Sequence, residues 1–306
     1  MTIVYDGTNS DEIKDIPGKV NVIVKDGVTE IGASAFEDCS GLASITLPDS
    51  VTKIGGDAFR WCGGLANITL PDSVTEIGCG AFCGCSGLTN IMIPESVTKI
   101  GSDTFRCCSG LTNITIPERV MEIGGYAFSE CKALTYITIP KSVMKIGQGA
   151  FSCCDNLESI KVDENNKVYD SRENCNAIIE KSSNKLVVGC KNTKVPSGVT
   201  SIGEAAFCGC SGLTSITLPE SVTEIGEFAF SDCSGLTSIT LSDRMTKIGD
   251  GVFCGCSHLT SMVLPNSVAE VNSMAFEGCD NLTSITWKGK VYGSVNDFFD
   301  SGVKII

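Results

Sequence analysis

The stretch from Leu213 to Gly235, which decides the fold, reads Leu-Thr-Ser-Ile-Thr-Leu-Pro-Glu-Ser-Val-Thr-Glu-Ile-Gly-Glu-Phe-Ala-Phe-Ser-Asp-Cys-Ser-Gly. Its first half alternates, so that Ile216 and Leu218 face inward while hydroxyl side chains face outward, and this predicts a short β-strand. The proline that follows ends the strand because it has no amide hydrogen. A second extended run then turns Val222 and Ile225 inward.

The same pattern recurs every 23 residues along the 306-residue chain. A unit of this length forms one coil of a stacked array, and each coil covers the core of its neighbour. The sequence therefore predicts one continuous repeat solenoid of α/β type, mainly β. Its most regular marker is a phenylalanine, found at Phe36, Phe59, Phe82, Phe105, Phe128, Phe151, Phe207, Phe230, Phe253 and Phe276.

Two further positions of the repeat give local predictions. The glycine after the second inward isoleucine predicts a left-handed turn, because glycine and asparagine tolerate a positive φ and Asn272 is its one replacement. The segment Ala-Phe-x-x-Cys has room for one helical or 3₁₀ turn. This glycine column comprises Gly32, Gly55, Gly78, Gly101, Gly124, Gly147, Gly203, Gly226 and Gly249.

The residue before the second inward isoleucine alternates in charge from one repeat to the next. Stacked parallel strands lie about 4.8 Å apart, so this charge column predicts a ladder of opposite charges between neighbouring coils. Such a ladder would specify which coils pair. The column comprises Glu30, Lys53, Glu76, Lys99, Glu122, Lys145, Ser201, Glu224, Lys247 and Glu270.

The residues quoted above resemble the BspA-like leucine-rich repeat family, whose unit is Leu-x-x-Ile-x-Ile-Pro-x-x-Val-x-x-Ile-Gly-x-x-Ala-Phe-x-x-Cys. The resemblance extends from about Val20 to Trp287. It implies a right-handed array with a parallel sheet on a concave face. It also implies a surface or secreted protein that attaches to host matrix proteins or to other cells. No signal-peptide pattern opens the chain, so a cytoplasmic location is the alternative.

The array is interrupted once, between Phe151 and Phe207, by 33 residues beyond one repeat. Two strand-like runs on either side of Ser182-Ser183-Asn184 predict an inserted β-hairpin. Both ends of a solenoid need a cover over the core. The predicted organisation is an N-terminal cap at 1–19, a first repeat block at 20–162, the hairpin at 163–194, a second block at 195–286 and a C-terminal cap at 287–306.

Ten of the 18 cysteines share one repeat position, three residues after the phenylalanine. Stacked side chains at one position keep their Cβ atoms near the strand spacing, which is wider than a disulfide prefers, so buried free thiols are expected. Cys175 and Cys190 lie across the predicted hairpin and are the candidate disulfide. The remaining cysteines have no cysteine in the same position of a neighbouring repeat, so neither a metal nor a cofactor is predicted.

The sequence contains no recognisable set of catalytic residues. His258 is the single histidine and replaces the glycine of Ser-Gly-Leu, which indicates a loop residue. Asp163-Glu-Asn-Asn-Lys-Val168 departs from a calcium loop at two required positions. The formal net charge of −13 argues against nucleic acid as a partner, and no apolar run is long enough for membrane insertion. The chain is therefore expected to be non-enzymatic.

The outward positions of the first predicted strand favour a protein or glycan partner, and the family resemblance implies that this partner belongs to host matrix or another cell surface. The candidate contact residues are Asn67, Asn90, Asn113, Tyr136 and Lys161. One alternative is a structural spacer or self-assembling repeat protein, and another is a threonine ladder that binds ice or glycan. Single aromatic residues at variable turn positions are weaker candidates, at Trp61, Tyr126 and Phe228.

Overall fold

The structure, a computed structural model, describes residues 1–8 and 18–306. It is built almost entirely from short parallel strands that stack coil on coil. The predicted fold class, a mainly-β repeat solenoid with an inserted hairpin, is confirmed. By their contacts the residues form two compact units, Met1–Leu157 with Asp163–Lys167 and Glu158–Val162 with Val168–Ile306. Residues 9–17 of the predicted N-terminal cap lie outside the described residues.

Coils of the first unit supply a short strand that carries the charge column, and most of them also supply a strand around the first inward residue; at Ile91 and Ile114 the latter is reduced to the single bridge Met92–Thr115. The strands are β1 (Thr2–Tyr5), β2 (Val20–Val24), β3 (Glu30–Ile31), β4 (Leu42–Thr46), β5 (Lys53–Ile54), β6 (Asn67–Thr69), β7 (Glu76–Ile77), β8 (Lys99–Ile100), β9 (Glu122–Ile123), β10 (Tyr136–Ile139) and β11 (Lys145–Ile146). All except β10 lie in three parallel sheets, in the orders β1-β2-β4-β6, β3-β5-β7 and β11-β9-β8.

The second unit repeats this arrangement and adds the hairpin, one 3₁₀ turn and a short helix. Its elements are β12 (Ser159–Val162), β13 (Tyr169–Asp170), the 3₁₀ turn Arg172–Asn174, β14 (Ile178–Glu180), β15 (Lys185–Val188), β16 (Ser201–Ile202), β17 (Ser215–Thr217), β18 (Glu224–Ile225), β19 (Ser238–Thr240), β20 (Lys247–Ile248), β21 (Ser261–Val263), β22 (Glu270–Val271), β23 (Ser284–Trp287), β24 (Lys290–Tyr292), α1 (Val295–Phe299) and β25 (Lys304–Ile305).

The inserted hairpin continues the stack of the second unit. Strands β14 and β15 are antiparallel, as the sequence predicts. Strand β15 then runs parallel to β16, with Lys185 opposite Ser201 and Leu186 opposite Ile202. Because Leu186 is fully buried, it takes the place of the inward isoleucine of a repeat. The hairpin thus supplies a strand to the array rather than projecting from it.

Phenylalanine rings form the core of both units. In the first unit the rings from Phe36 to Phe151 stack nearly parallel, with centroids 5.2–5.6 Å apart. In the second unit the rings from Phe207 to Phe276 stack in the same way, at 4.9–5.8 Å. Offset aromatic contacts at this spacing add to the stabilisation that comes from burying the rings.

The repeated cysteines are buried and free, as predicted. The thiol of one coil donates a hydrogen bond to the phenylalanine carbonyl of the preceding coil; Cys62 Sγ lies 2.9 Å from Phe36 O, and Cys85 Sγ lies 3.1 Å from Phe59 O. The same bond recurs in both units for Cys108, Cys131, Cys154, Cys233, Cys256 and Cys279. Each thiol therefore satisfies a buried carbonyl, which explains why the position is small and polarisable.

These thiols predict an alkaline loss of stability. Burial raises the pKa of Cys85 from 9.0 to about 12. Between these values the unfolded chain loses the proton and the folded chain keeps it, so the free energy of unfolding falls as pH rises, by about 1.4 kcal/mol per pH unit for each such thiol. Urea unfolding of reduced protein between pH 8 and 10.5 measures this slope. Cys85→Ala should make the slope shallower, and Cys79→Ala, at an exposed thiol, should not; equal slopes in all three proteins would contradict the account.

The glycine column has a different cause from the predicted one. None of its members has a positive φ. Instead, a Cβ on Gly78 would lie 2.4 Å from Gly56 N, and one on Gly147 would lie 2.3 Å from Gly125 N. The backbones of consecutive coils approach so closely at five column positions that only a hydrogen atom fits between them: Gly55, Gly78, Gly124, Gly147 and Gly226. At Gly249, by contrast, a Cβ would meet nothing closer than 3.9 Å. Stacking therefore accounts for these five glycines, and the predicted left-handed turn is wrong.

Left-handed residues occur at two other positions of every coil that has the column glycine, two and six residues after it. In the second coil they are Asp57 and Trp61, with φ of 54° and 57°. They bend the Ala-Phe-x-x-Cys segment into consecutive turns in place of the predicted helical or 3₁₀ turn. The amide of Trp61 then donates to Cys83 O in the next coil at 2.7 Å. The segment thus adds a third set of hydrogen bonds between coils.

The predicted charge ladder is present in the first unit. The strand register places glutamate opposite lysine, as for Glu30 and Lys53. Hydrogen bonds from Lys145 and then Lys99 lower the pKa of the Glu122 carboxyl. The ion pairs are Lys53–Glu30 (3.4 Å), Lys53–Glu76 (3.8 Å), Lys99–Glu122 (3.2 Å) and Lys145–Glu122 (3.0 Å).

The two ends of the array are closed by aromatic side chains from outside the repeats. Buried Tyr5 of β1 packs edge-on against Phe36, with ring centroids 4.9 Å apart. At the other end, Ser294 caps α1 by accepting a hydrogen bond from the Asp297 amide at 3.0 Å. This helix holds Phe298 fully buried at the end of the second unit's core.

Candidate partner-binding surfaces

The outward side of the Ile-centred strands in the first unit carries two parallel rows of side chains. The first, here the amide row, contains Asn21, Ser44 and Asn67 as register partners. Ser44 Oγ donates to Asn21 Oδ1 at 2.8 Å. The row continues at the same repeat position through Asn90, Asn113 and Tyr136. Four of the five predicted contact residues therefore share one row of the first unit.

Tyr136 is the largest side chain of the amide row. Half of its surface is exposed, at 50%. The side-chain amide of Asn113, its smaller neighbour in the row, donates to Oγ1 of the preceding residue, Thr112, at 3.2 Å. The remaining amides offer donors and acceptors to a partner. The row thus combines adaptable polar groups with a single aromatic ring.

The second row, here the β-branched row, lies two residues further along each strand. Val4, Ile23, Thr46 and Thr69 are register partners, and Met92 continues the row opposite Thr115. Met92 is 75% exposed. Sequence analysis missed the aliphatic end of this row because Val4 lies before the repeats, and because Ile23 stands in the first coil where later coils have threonine. Their alternation in Thr-Ile-Val-Tyr and Val-Asn-Val-Ile-Val was the available signal.

Lys161, the fifth predicted contact residue, lies in the second unit. It is an exposed residue of β12, at the position that follows the central isoleucine. It therefore belongs to a different surface from the other four residues.

The candidate disulfide is not formed in the structure. Cys175 and Cys190 are both buried free thiols. Cys175 Sγ lies 3.8 Å from Ala177 O, and Cys190 Sγ lies 3.3 Å from Asn176 O. Burial raises the pKa of Cys175 to about 11. Each thiol instead has a carbonyl partner of its own, which hairpin spacing alone did not reveal.

The single histidine has a hydrogen-bonding role within the array. The Nδ1 atom of His258 lies 2.6 Å from Ser234 O in the preceding coil. Asn156 and Asn281, at the same repeat position, donate to the equivalent carbonyl at 2.8 and 2.7 Å. The histidine thus occupies a structural position that asparagine fills elsewhere.

The segment that superficially resembles a calcium loop is held by hydrogen bonds from its own asparagine. The side chain of Asn166 is buried and donates to Pro140 O and Val143 O, both at 2.9 Å. Asp163 Oδ1 accepts from the Asn165 amide at 2.8 Å. Within residues 1–8 and 18–306, no cluster of three or more histidine, cysteine or acidic side chains could hold a metal ion.

The exposed aromatic residues at the turns are packed against glycine. A Cβ on Gly84 would lie 2.2 Å from the Trp61 ring, so that ring covers the glycine of the next coil. Tyr126 covers Gly149 in the same way, and Phe228 covers Gly251. These aromatic side chains therefore serve coil packing.

A notch of about 280 Å³ lies where the third coil supplies only small side chains. Gly80 and Cys83 stand there in place of an aspartate and an arginine. The flanking guanidinium of Arg60 pairs with Asp57 at 3.4 Å, and a matching arginine–aspartate pair borders the other side. Burial raises the pKa of the Cys83 thiol. The notch is thus lined by charges that are already paired.

Fold and surfaces together define a leucine-rich repeat protein with exposed sheet faces. The BspA type leucine rich repeat region family matches residues 19–109, 75–184 and 177–305, with 6 copies. The chain belongs to this family. No curated protein sequence matches it.

Several solved structures share the fold. A leucine rich cell surface protein from Faecalibacterium prausnitzii A2-165 is 32% identical, with a TM-score of 0.77 over 99% of this chain and 85% of that chain. A leucine-rich repeat protein from Bacteroides ovatus is 27% identical, with a TM-score of 0.55 over 100% and 83%. One from Eubacterium ventriosum is 24% identical, with a TM-score of 0.60 over 93% and 80%. The described residues contain no helix long and apolar enough to cross a membrane.

Proposed function

We propose that the chain is a protein-binding adhesion module of the cell surface, and that its first unit binds the partner through the amide and β-branched rows. The cell-surface description of the Faecalibacterium relative supports the location. The observation that carries the proposal is the half-exposed Tyr136 ring among small polar side chains. Tyrosine is enriched at interface hot spots because its ring buries a large area at little conformational cost.

The two rows would make different kinds of contact with a partner. Amides and hydroxyls of the amide row supply hydrogen bonds, and exposed Met92 and Ile23 of the β-branched row supply apolar contact. The interruption of the threonines by Met92 disfavours the ice-binding alternative, which needs a regular hydroxyl array. A flexible methionine and a rigid tyrosine on the same face instead suit a protein partner.

The test uses purified type I collagen, laminin and fibronectin, immobilised as representative matrix proteins. Where the wild-type chain binds, Tyr136→Ala should weaken the affinity by about 30-fold, the effect of losing a hot-spot aromatic. Tyr126→Ala is the matched control, because Tyr126 is 38% exposed but packs over glycine. Biolayer interferometry measures both.

Two outcomes would reject the proposal. Equal losses in the two tyrosine variants would show that the row has no special role. Binding to none of the three proteins, together with concentration-dependent light scattering, would favour the self-assembling spacer instead.

A further inference from the structure

The second unit contains a cleft of about 780 Å³ where the end of the inserted segment lies beside β17. On one side are Asn176, Asn192 and Lys194, and on the other are Thr214, Ser215 and Thr217. Five of these six residues are exposed, and Asn176 is half-buried. No aromatic side chain lines the cleft. Its walls thus present hydroxyl, amide and ammonium groups to the solvent.

Hydrogen bonds within the insertion hold one wall of the cleft in place. The Lys194 amide donates to Cys175 O at 3.0 Å, and Thr193 Oγ1 donates to Asn176 O at 2.6 Å. These bonds tie residues 191–195 back to the hairpin. Among the described residues, no backbone hydrogen bond joins 191–195 to β17. The insertion therefore holds its last segment in place while leaving the edge of β17 accessible.

The cleft is basic although the chain as a whole carries −13. Lys191 Nζ lies 2.8 Å from Glu158 Oε1, and Asn192 Nδ2 lies 3.3 Å from Glu158 O. These contacts place Lys191 and Asn192 beside Glu158, the residue that precedes β12 and Lys161. Neither Lys161 nor Lys194 has an ion-pair partner among the described residues. Lys194 therefore contributes an unneutralised ammonium group to the cleft, and none of the residues described as lining the cleft is acidic.

We propose that this cleft, together with the exposed Lys161 of β12, binds an acidic saccharide. Carboxylate or sulfate groups of such a ligand would pair with Lys161 and Lys194, and its hydroxyls would bond to Asn192, Ser215 and Thr217. A saccharide is favoured over an acidic peptide because the cleft has many hydroxyl and amide groups and lacks the aromatic anchor of a protein hot spot. This site is independent of the tyrosine surface proposed for the first unit.

The test measures binding of heparin and hyaluronan hexasaccharides to the full chain by isothermal titration calorimetry. At least one of them should bind, and Lys161→Gln/Lys194→Gln should lower its affinity by about tenfold. Asn192→Ala, which leaves the charge unchanged, should also weaken binding. The wild-type affinity should fall with added salt, because exposed charges are screened.

The control variant Lys141→Gln/Lys247→Gln removes the same charge at exposed lysines elsewhere and should bind like the wild type. Circular dichroism melting checks that every variant is folded. Three results would overturn the proposal: no binding of either acidic hexasaccharide, equal binding of neutral maltohexaose, or tighter binding of a hexaglutamate peptide. An equal loss in the control variant would also overturn it, since diffuse charge would then explain the affinity.

Discussion

Gly78→Ala is expected to destabilise the first unit by about 3 kcal/mol, whereas Gly32→Ala, at the equivalent position of the first coil, is expected to be neutral or slightly stabilising. A Cβ on Gly78 would meet backbone atoms of Gly55 and Gly56 at 2.4–2.7 Å. A Cβ on Gly32 would meet nothing within 4 Å. The two glycines share sequence context and repeat position, so their difference isolates the close approach of consecutive coils.

Urea unfolding followed by circular dichroism measures both variants, and Gly78→Asn completes the test. Asparagine tolerates a left-handed backbone, so it would rescue the position if conformation were the cause. Close approach instead makes Asn as damaging as Ala, since both add a Cβ. Equal stabilities of Gly78→Ala and Gly32→Ala would refute the steric explanation.

The repeat spacing was sufficient to predict the core. Residues separated by one repeat occupy equivalent places in a stack, so one inward phenylalanine determines the position of all the others. The same logic predicted the buried free thiols and the opposite charges at Glu30 and Lys53. Each of these features depends only on which coil lies next to which, and the period specifies that directly.

Backbone conformation was harder to predict because the same residue type can be required for two different physical reasons. Glycine is selected both by a positive φ and by close backbone approach, and the sequence does not distinguish them. The positions that do have positive φ hold Asp57, Trp61, Tyr126 and Cys107, among others. No shared residue type marks them, so the hydrogen bonds between coils must enforce that conformation.

The candidate surfaces were predictable only where the repeat continues. Asn67 and Tyr136 fall in one row because both follow the period. Ile23 and Lys194 keep the 23-residue spacing, to Thr46 and to Thr217, but the residues around them depart from the repeat consensus. They join the surfaces through strand pairing and through the hydrogen bonds of the insertion. Cys175 and Cys190 failed as a disulfide for a related reason, because hairpin spacing does not determine how the flanking residues pack.

Phe298→Ala is expected to destabilise the second unit by about 3–5 kcal/mol, the range for removing a buried phenylalanine. The ring is fully buried and meets Phe276, Trp287 and Tyr292 edge-on, with centroids 5.7–6.5 Å away. Without it, the last phenylalanine of the stack would border a cavity. Because Phe298 lies outside the repeats, its removal tests whether the last coil must be covered by a side chain from beyond the array.

The neighbouring Phe299→Ala is the matched control, since the same helix holds this ring half-buried. It should cost about 1–2 kcal/mol, in proportion to the smaller area that it buries. Hydrogen exchange should locate the Phe298 effect in β23, β24 and β25, because stability in a stacked array depends on the nearest neighbours. Equal costs for the two variants, or loss of protection that begins far from these strands, would show that the helix is attached to the solenoid without closing it.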